Sequence, residues 1–258
     1  METRISKTKI DRLGDRLRKG NISEDDLRLL DEYRRSFNDA YEAVAGSIRQ
    51  KLELEPTGRP AKSTTSITEK LQRESIRLTQ MQDIAGCRLI VPAIVDQEQL
   101  VASLAGIIPS VVIVDRRHKP SNGYRAVHVI AKVEQRLVEI QVRTALQQLW
   151  AELCEKLADL IDPTIKYGGG REDLKQLLTE ASEGIAEHET NELEVLEMQR
   201  AVARMLLTTG LTEASRANIN SLQGTLTTLQ ADLETHRERS INIFGEAVRF
   251  VEENFRNK

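Results

Sequence analysis

The stretch Lys119–Thr144, KPSNGYRAVHVIAKVEQRLVEIQVRT, decides how the chain is read. It divides into a basic loop containing Gly123, a strand, a tight turn through Glu134-Gln135-Arg136 and a second strand. From Leu137 to Arg143 the residues alternate. Val138, Ile140 and Val142 take one face, and Glu139, Gln141 and Arg143 take the other. The preceding strand repeats the pattern, with Val127 and Val129 on one face and Tyr124 and His128 on the opposite one. A merely solvated sheet face would carry Lys, Glu and Thr without pattern. Here the polar faces offer a carboxylate, an amide, a guanidinium, an aromatic ring and an imidazole beside a basic loop. Those are the groups a polyanion-and-metal site needs.

Upstream, MQDIAGCRLIVP (81–92) reads as a buried strand from Cys87 to Val91, with Asp83 just ahead of it and Arg88 inside it. An Asp at a strand entrance is either a turn residue or a metal carboxylate. Mg²⁺ usually takes one or two carboxylates plus substrate phosphates, so Asp83 and Glu139 form a candidate pair. Before that strand, RPAKSTTSITEKLQRESIRLTQ (59–80) places Arg59 and Lys62 in a polar loop. A helix begins at Ser66, with Ile67, Leu71 and Ile76 inward and Lys70 and Arg73 outward. Four cations on a short arc can hold a triphosphate. Taken alone, a solvated helix face is the better reading of that cluster. Residues 1–53 read as helical: Ile10, Leu13 and Leu17 share a face, and NISEDDL caps a second helix running from Leu29 through Tyr33, Phe37 and Tyr41 to Val44.

Further on, Asp96–Ile107 reads as an amphipathic helix and Val111–Val114 as a short strand. The loop from Asp115 to Gly123 gathers Arg116, Arg117 and Lys119, which suits phosphate. It is neither a Walker loop nor a dinucleotide fingerprint. Ala145–Leu160 is a helix with Leu149, Leu153, Leu157 and Leu160 in a stripe and Trp150 alongside. Lys166-Tyr-Gly-Gly-Gly170 reads as a flexible break. Beyond Arg171 the pattern is helical only. One helix runs to Leu207, Thr209-Gly210 punctuates, and Ile219, Leu222, Leu226, Leu229 and Leu233 open a coiled-coil-like seam. It continues in phase through His236, Ser240, Ile243, Ala247 and Phe250.

Bulk composition narrows the classes. The 258 residues carry a net charge of −3, so no global excess of positive charge attracts nucleic acid, and DNA is not an expected partner. Aromatics are 3% of the chain, which argues against a stacking platform for single strands. Cys87 and Cys154 lack metal-ligand spacing and read as reduced thiols. The charged N-terminus does not resemble a signal peptide, and no apolar run approaches membrane-spanning length. A cytoplasmic protein is expected.

Four segments carry a family resemblance. They are Arg59…Lys62…Ser66-Ile67…Lys70, Asp83-Ile-Ala-Gly-Cys-Arg88, Lys119…Gly123-Tyr-Arg…His128 and Glu139-Ile-Gln-Val-Arg-Thr144. In order and spacing they resemble the synthetase domain of RelA/SpoT homologues, nearest the small single-domain alarmone synthetases, over roughly residues 40 to 165. The resemblance implies an α+β, nucleotidyltransferase-like mixed sheet flanked by helices, with a C-terminal helical, coiled-coil-like extension. The corresponding division is an N-terminal helical segment (1–53), a pyrophosphokinase core (54–167) and a helical tail for oligomerisation or regulation (168–258).

The implied reaction moves the β,γ-diphosphate of ATP to the 3′-hydroxyl of GDP or GTP. Arg59, Lys62, Ser66 and Lys70 would face ATP, with Arg88 in support. Asp83 and Glu139 would hold Mg²⁺, and Glu139 would take the hydroxyl proton. Tyr124 would stack on the acceptor base, and Lys119 and His128 would meet its phosphates. Asn122, Gln141 and Arg143 complete the acceptor set. The pattern departs from the family in the helix after the Glu139 motif, where an Asn and a Glu-His pair are replaced by Gln148 and Cys154-Glu155. A Lys-Tyr element is displaced to Lys166-Tyr167. These changes leave a second reading open: a toxin-type relative acting on the 3′ end of tRNA or on adenine nucleotides, with a cognate antitoxin. A noncatalytic regulatory protein is the third. A homo-oligomer formed through helices is expected.

Overall fold

The protein is described here from a computed structural model covering residues 5–208 and 212–255. It forms two compact units interleaved along the chain. The first comprises Met1–Leu89, Leu100–Val114 and Val127–Val142; the second comprises Ile90–Gln99, Asp115–Ala126 and Arg143–Lys258.

The first unit begins with three helices. Helix α1 (Lys7–Lys19) starts at Ser6, whose hydroxyl accepts from the Lys9 amide, and it buries Ile10, Leu13 and Leu17 as their spacing requires. Helix α2 (Glu24–Arg35) opens on a capping box in which Ser23 and Asp26 satisfy each other's backbone amides. The periodicity predicts one helix from here through Val44, but the structure divides it. Helix α3 (Asn38–Leu52) starts afresh after Ser36-Phe37. The Ser36 hydroxyl donates to the Tyr33 carbonyl at 2.5 Å, and Arg136 donates to the Ser36 carbonyl at 3.3 Å. Such bonds compete with the helical ladder. A short strand β1 (Thr57–Arg59) and helix α4 (Thr64–Arg73) follow. Helix α4 begins two residues before Ser66 because Ser63, not Ser66, is its cap.

Strands β2 (Ala85–Val91), β3 (Val111–Asp115), β4 (Val127–Val133) and β5 (Arg136–Thr144) complete a mixed five-stranded sheet in the order β1-β2-β5-β4-β3. β4 and β5 form an antiparallel hairpin across Glu134-Gln135, with Glu134 at φ 52°. The alternation read from the sequence holds in β5. Val138, Ile140 and Val142 are fully buried, while Glu139 and Gln141 are half-buried on the other face.

The second unit is helical. It contains α6 (Ala145–Leu160), α7 (Glu172–Leu206) and α8 (Glu213–Phe255). Trp150 lies in the core of this unit and donates its indole N–H to the Leu178 carbonyl at 2.7 Å. A 3₁₀ turn (Pro163–Tyr167), in which the Asp162 carboxylate accepts from the Thr164 amide and hydroxyl, takes in Lys166 and Tyr167 of the expected break, and Gly168, Gly169 and Gly170 follow it outside regular structure. The phase expected for the tail fails in part. Ile219 and Leu226 are buried as read, but Leu222, Ile243 and Phe250 are exposed, and Phe244 and Val251 are buried instead. The physical reason is a change of neighbour. The first half of α8 packs against Val195 and Val202 of α7, whereas the second half joins the cluster of Leu146, Leu153 and Leu157 of α6. The seam rotates to follow. The punctuation read at Thr209-Gly210 lies outside the described residues. Among the described residues, no helix is long and apolar enough to cross a membrane.

Tyr124 differs from its expected position. It precedes β4 instead of sharing a strand face with His128. It closes a tight turn in which its amide donates to the Ser121 carbonyl at 3.0 Å, with Asn122 at φ 52° and Gly123 at φ 84°. Two successive left-handed residues are the signature of an Asn-Gly turn.

Candidate functional site

In the first unit, Asp83 sits in the turn leading into β2, and two ammonium groups reach it. Lys62 Nζ lies 2.7 Å from one carboxylate oxygen and Lys70 Nζ lies 2.8 Å from the other. Lys62 is held by its backbone, which donates to the Ile84 carbonyl and accepts from Arg34. Lys70 projects from the last turn of α4. Burial by itself would raise the Asp83 pKa, but the charges of Lys62 and then Lys70 outweigh it and hold the acid at about 2. Arg73 turns instead to Glu74, and Arg59 is exposed on the edge strand β1. Ser66 accepts from the Ser63 hydroxyl at 2.8 Å within the first turn of α4. Arg88 is half-buried on β2.

Glu139 stands on β5, the strand next to β2. Gly86 of β2 makes this approach possible: a Cβ there would lie 2.9 Å from the Glu139 carbonyl oxygen. His128 Nδ1 lies 3.0 Å from one Glu139 carboxylate oxygen, and the Gln141 amide donates to the other at 2.8 Å. His128 and Gln141 face each other across the hairpin, so one register places both beside Glu139. Burial works to raise the Glu139 pKa. The hydrogen bond and charge of His128, with the Gln141 amide, prevail and lower it, while the charge on Asp83 opposes them. Both acids are therefore ionised at neutral pH.

The second unit carries the remaining candidates. Arg143 is buried. It donates to the Tyr124 hydroxyl at 3.0 Å and to Gln148 Oε1 at 2.9 Å, and its guanidinium carbon lies 5.1 Å from the centre of the Tyr124 ring. Tyr124 and Trp150 have ring centres 6.5 Å apart. Lys119 and Asn122 are exposed in the loop. Arg117, read as a free cation of that loop, is instead tied to Asp115 and Glu98, each at 2.6 Å. The sequence reading missed a buried set around Glu189. Its partners lie far away along the chain, and no local pattern marks it.

Among the described residues, no group of three or more His, Cys, Asp and Glu side chains is arranged to hold a metal ion. The requirement for Mg²⁺ is smaller, because substrate phosphates supply the remaining oxygens. Two ionised carboxylates in one unit, with the charge on Asp83 acting on Glu139, fit that smaller requirement.

The site thus combines an acid ahead of one strand, a second acid on the neighbouring strand and two lysines that reach the first acid. Residues 58–158 match the family model described as the region found in RelA / SpoT proteins. The fold is similar to that of small alarmone synthetase 1 from Bacillus subtilis. That likeness has a TM-score of 0.50 at 28% identity and covers 69% of this chain and 100% of that one. A second structure, of the same enzyme bound to its product pppGpp, matches at 27% identity with a TM-score of 0.50, over 68% of this chain and 98% of that one. Uncharacterised proteins of Mycobacterium tuberculosis and Mycobacterium bovis are each 38% identical over 135 residues. The match covers 51% of this chain, and the chain spans about half the length (49%) of those curated relatives.

Proposed function

We propose that the protein is a GTP/GDP pyrophosphokinase that transfers the β,γ-diphosphate of ATP to the 3′-hydroxyl of a guanine nucleotide. The observation that carries this reading is the pair of ionised, mostly buried carboxylates, Asp83 and Glu139, with Lys62 and Lys70 closing on the first. Phosphoryl-type transfer needs chiefly positioning and charge stabilisation. Lys62 and Lys70 supply mobile cations that exchange the Asp83 carboxylate for nucleotide phosphates. Arg59 and Ser66 flank them, and Arg88 supports the strand. Asp83 and Glu139 would hold a divalent cation, Mg²⁺ in this reading, which would neutralise charge on the transferred group.

The acceptor's 3′-oxygen bonds to the β-phosphorus of ATP, the bond from that phosphorus to the α,β-bridging oxygen breaks, and AMP leaves. The hydroxyl proton passes to a Glu139 oxygen. Gln141 and His128 orient that carboxylate, and the His128 imidazole stabilises its charge. Tyr124, held by Arg143, offers an aromatic surface for the acceptor base, with Lys119 and Asn122 on the loop beside it. The product pppGpp in the related Bacillus subtilis enzyme supports a guanine acceptor.

A tRNA 3′ end or an adenine nucleotide is the second reading. It is favoured by Gln148, which departs from the family pattern and is bound directly to Arg143. The test incubates the protein with γ-labelled ATP and, separately, GDP, GTP, adenine nucleotides and tRNA. Label on GDP or GTP is expected. Label on tRNA alone would refute the guanine acceptor. Glu139→Gln should abolish transfer while ATP still binds, and turnover in that variant would remove Glu139 from its role.

A further inference from the structure

Glu189 projects from the middle of α7 and is only 4% exposed. A carboxylate removed from water to that degree needs charged or hydrogen-bonded partners. It has three. Arg125 donates to Oε2 at 2.8 Å, and Gln147 and the Thr144 hydroxyl donate to Oε1 at 2.6 and 3.2 Å. Two of these donors are the chain neighbours of the pair that faces the acceptor in the proposed function. Arg125 follows Tyr124, and Thr144 follows Arg143.

The other bonds of this set extend the hold. Arg125 also donates to the Arg117 carbonyl at 2.7 Å, anchoring the basic loop. The Thr144 hydroxyl accepts from the Gln147 amide at 3.2 Å and so caps α6, whose first turns carry Gln148 and Trp150. Gln147 Oε1 accepts from Gln97 at 2.9 Å. One carboxylate on the helical tail thus pins both backbone segments that set the Tyr124 ring and the Arg143 guanidinium against each other. No other residue of α7 has a role in the proposed function.

We infer that Glu189 is a positioning residue for the acceptor: through Arg125 and Thr144 it fixes the Tyr124–Arg143 pair and thereby sets acceptor affinity without touching the acceptor. The inference rests on the reading that Tyr124 receives the acceptor base. It predicts a selective effect, because among the described residues the side-chain bonds of Lys62, Lys70, Asp83 and Glu139 run to one another and to His128 and Gln141.

The test compares wild type, Glu189→Gln, Glu189→Asp and the double variant Glu189→Gln/Arg125→Met in label transfer. Acceptor binding is read separately from the fluorescence of Trp150, the chain's one tryptophan. Glu189→Gln should raise the acceptor KM and dissociation constant by about tenfold or more, with the ATP KM and the kcat at saturating acceptor within about twofold, the mark of lost uniform binding. Glu189→Asp should recover part of the loss. The double variant removes both charges and keeps folding separable from function. It should show about the same acceptor defect as Glu189→Gln, since the two residues act as one unit. An unchanged acceptor constant in any folded variant would overturn the inference. So would an equal rise in both substrates' constants, which is the signature of general loosening. A wild-type protein that binds GDP or GTP without transferring label would sink the catalytic reading and leave the binding comparison to decide on Glu189. A wild-type protein that neither transfers to nor binds either nucleotide would refute the proposed acceptor and this inference together.

Discussion

Replacing Asp83 by Asn tests the electrostatics of the first unit. Asp83 is held at about 2, against an ordinary value of 3.8. At ~1.4 kcal/mol per decade, that difference corresponds to about 2 kcal/mol of stability. Only 18–20% of the three side chains is exposed, so solvent screens the cluster weakly. The sign follows from linkage. The folded-state pKa is depressed, so the stabilisation is complete above the unfolded-state value and is lost as pH falls through about 2. An Asn side chain imitates the protonated acid and leaves Lys62 and Lys70 facing a neutral group. Urea unfolding of wild type and Asp83→Asn should therefore differ by about 2 kcal/mol near pH 7, with the full gap kept down to about pH 5 and roughly half of it left near pH 3. A gap that stays constant with pH, or widens as pH falls, would refute the argument. Equal stability at neutral pH would show that the lysines do not stabilise the carboxylate in solution.

Two further outcomes follow from packing. Gly123→Ala combines a left-handed backbone with a Cβ placed 2.7 Å from the Trp150 ring, so thermal unfolding should show a loss of about 1–3 kcal/mol and acceptor binding should weaken. Equal melting temperatures would mean that the turn relaxes without cost. Burial raises the Cys87 thiol to about 12 and the Cys154 thiol to about 11, so a thiolate-selective reagent should leave both unmodified near pH 8 until urea is added. Rapid labelling of the folded protein would contradict that burial.

The hairpin was legible because a period of two over nine residues has one structural solution, and both flanking turns carry their own signals. Asp83 and Glu139 stood out because carboxylates beside buried strands are costly and therefore few. Three features escaped for physical reasons. The break at Ser36 depends on a serine hydroxyl and on Arg136, which lies a hundred positions away. The phase of α8 depends on which helix each half meets, and an amphipathic repeat does not name its neighbour. Tyr124 alternates with His128 on paper, but the Asn122-Gly123 turn takes it out of the strand. Arg117 shows the opposite error: a charge that seemed available to ligand is neutralised at home by Asp115 and Glu98.

The strand order has a consequence for how the chain comes to bind anything. The β4–β5 hairpin joins neighbours in sequence and can form early, within microseconds. Asp83 meets Glu139 only when β5 docks beside β2, which requires closing a loop that contains the helix Ile94–Ile107, β3 and β4. A nascent or unfolded chain therefore offers solitary carboxylates with no bidentate grip on a cation. If the pair holds the metal–nucleotide complex of the proposed function, that affinity would arise only with long-range sheet closure, and by mass action the complex would hold the closure shut.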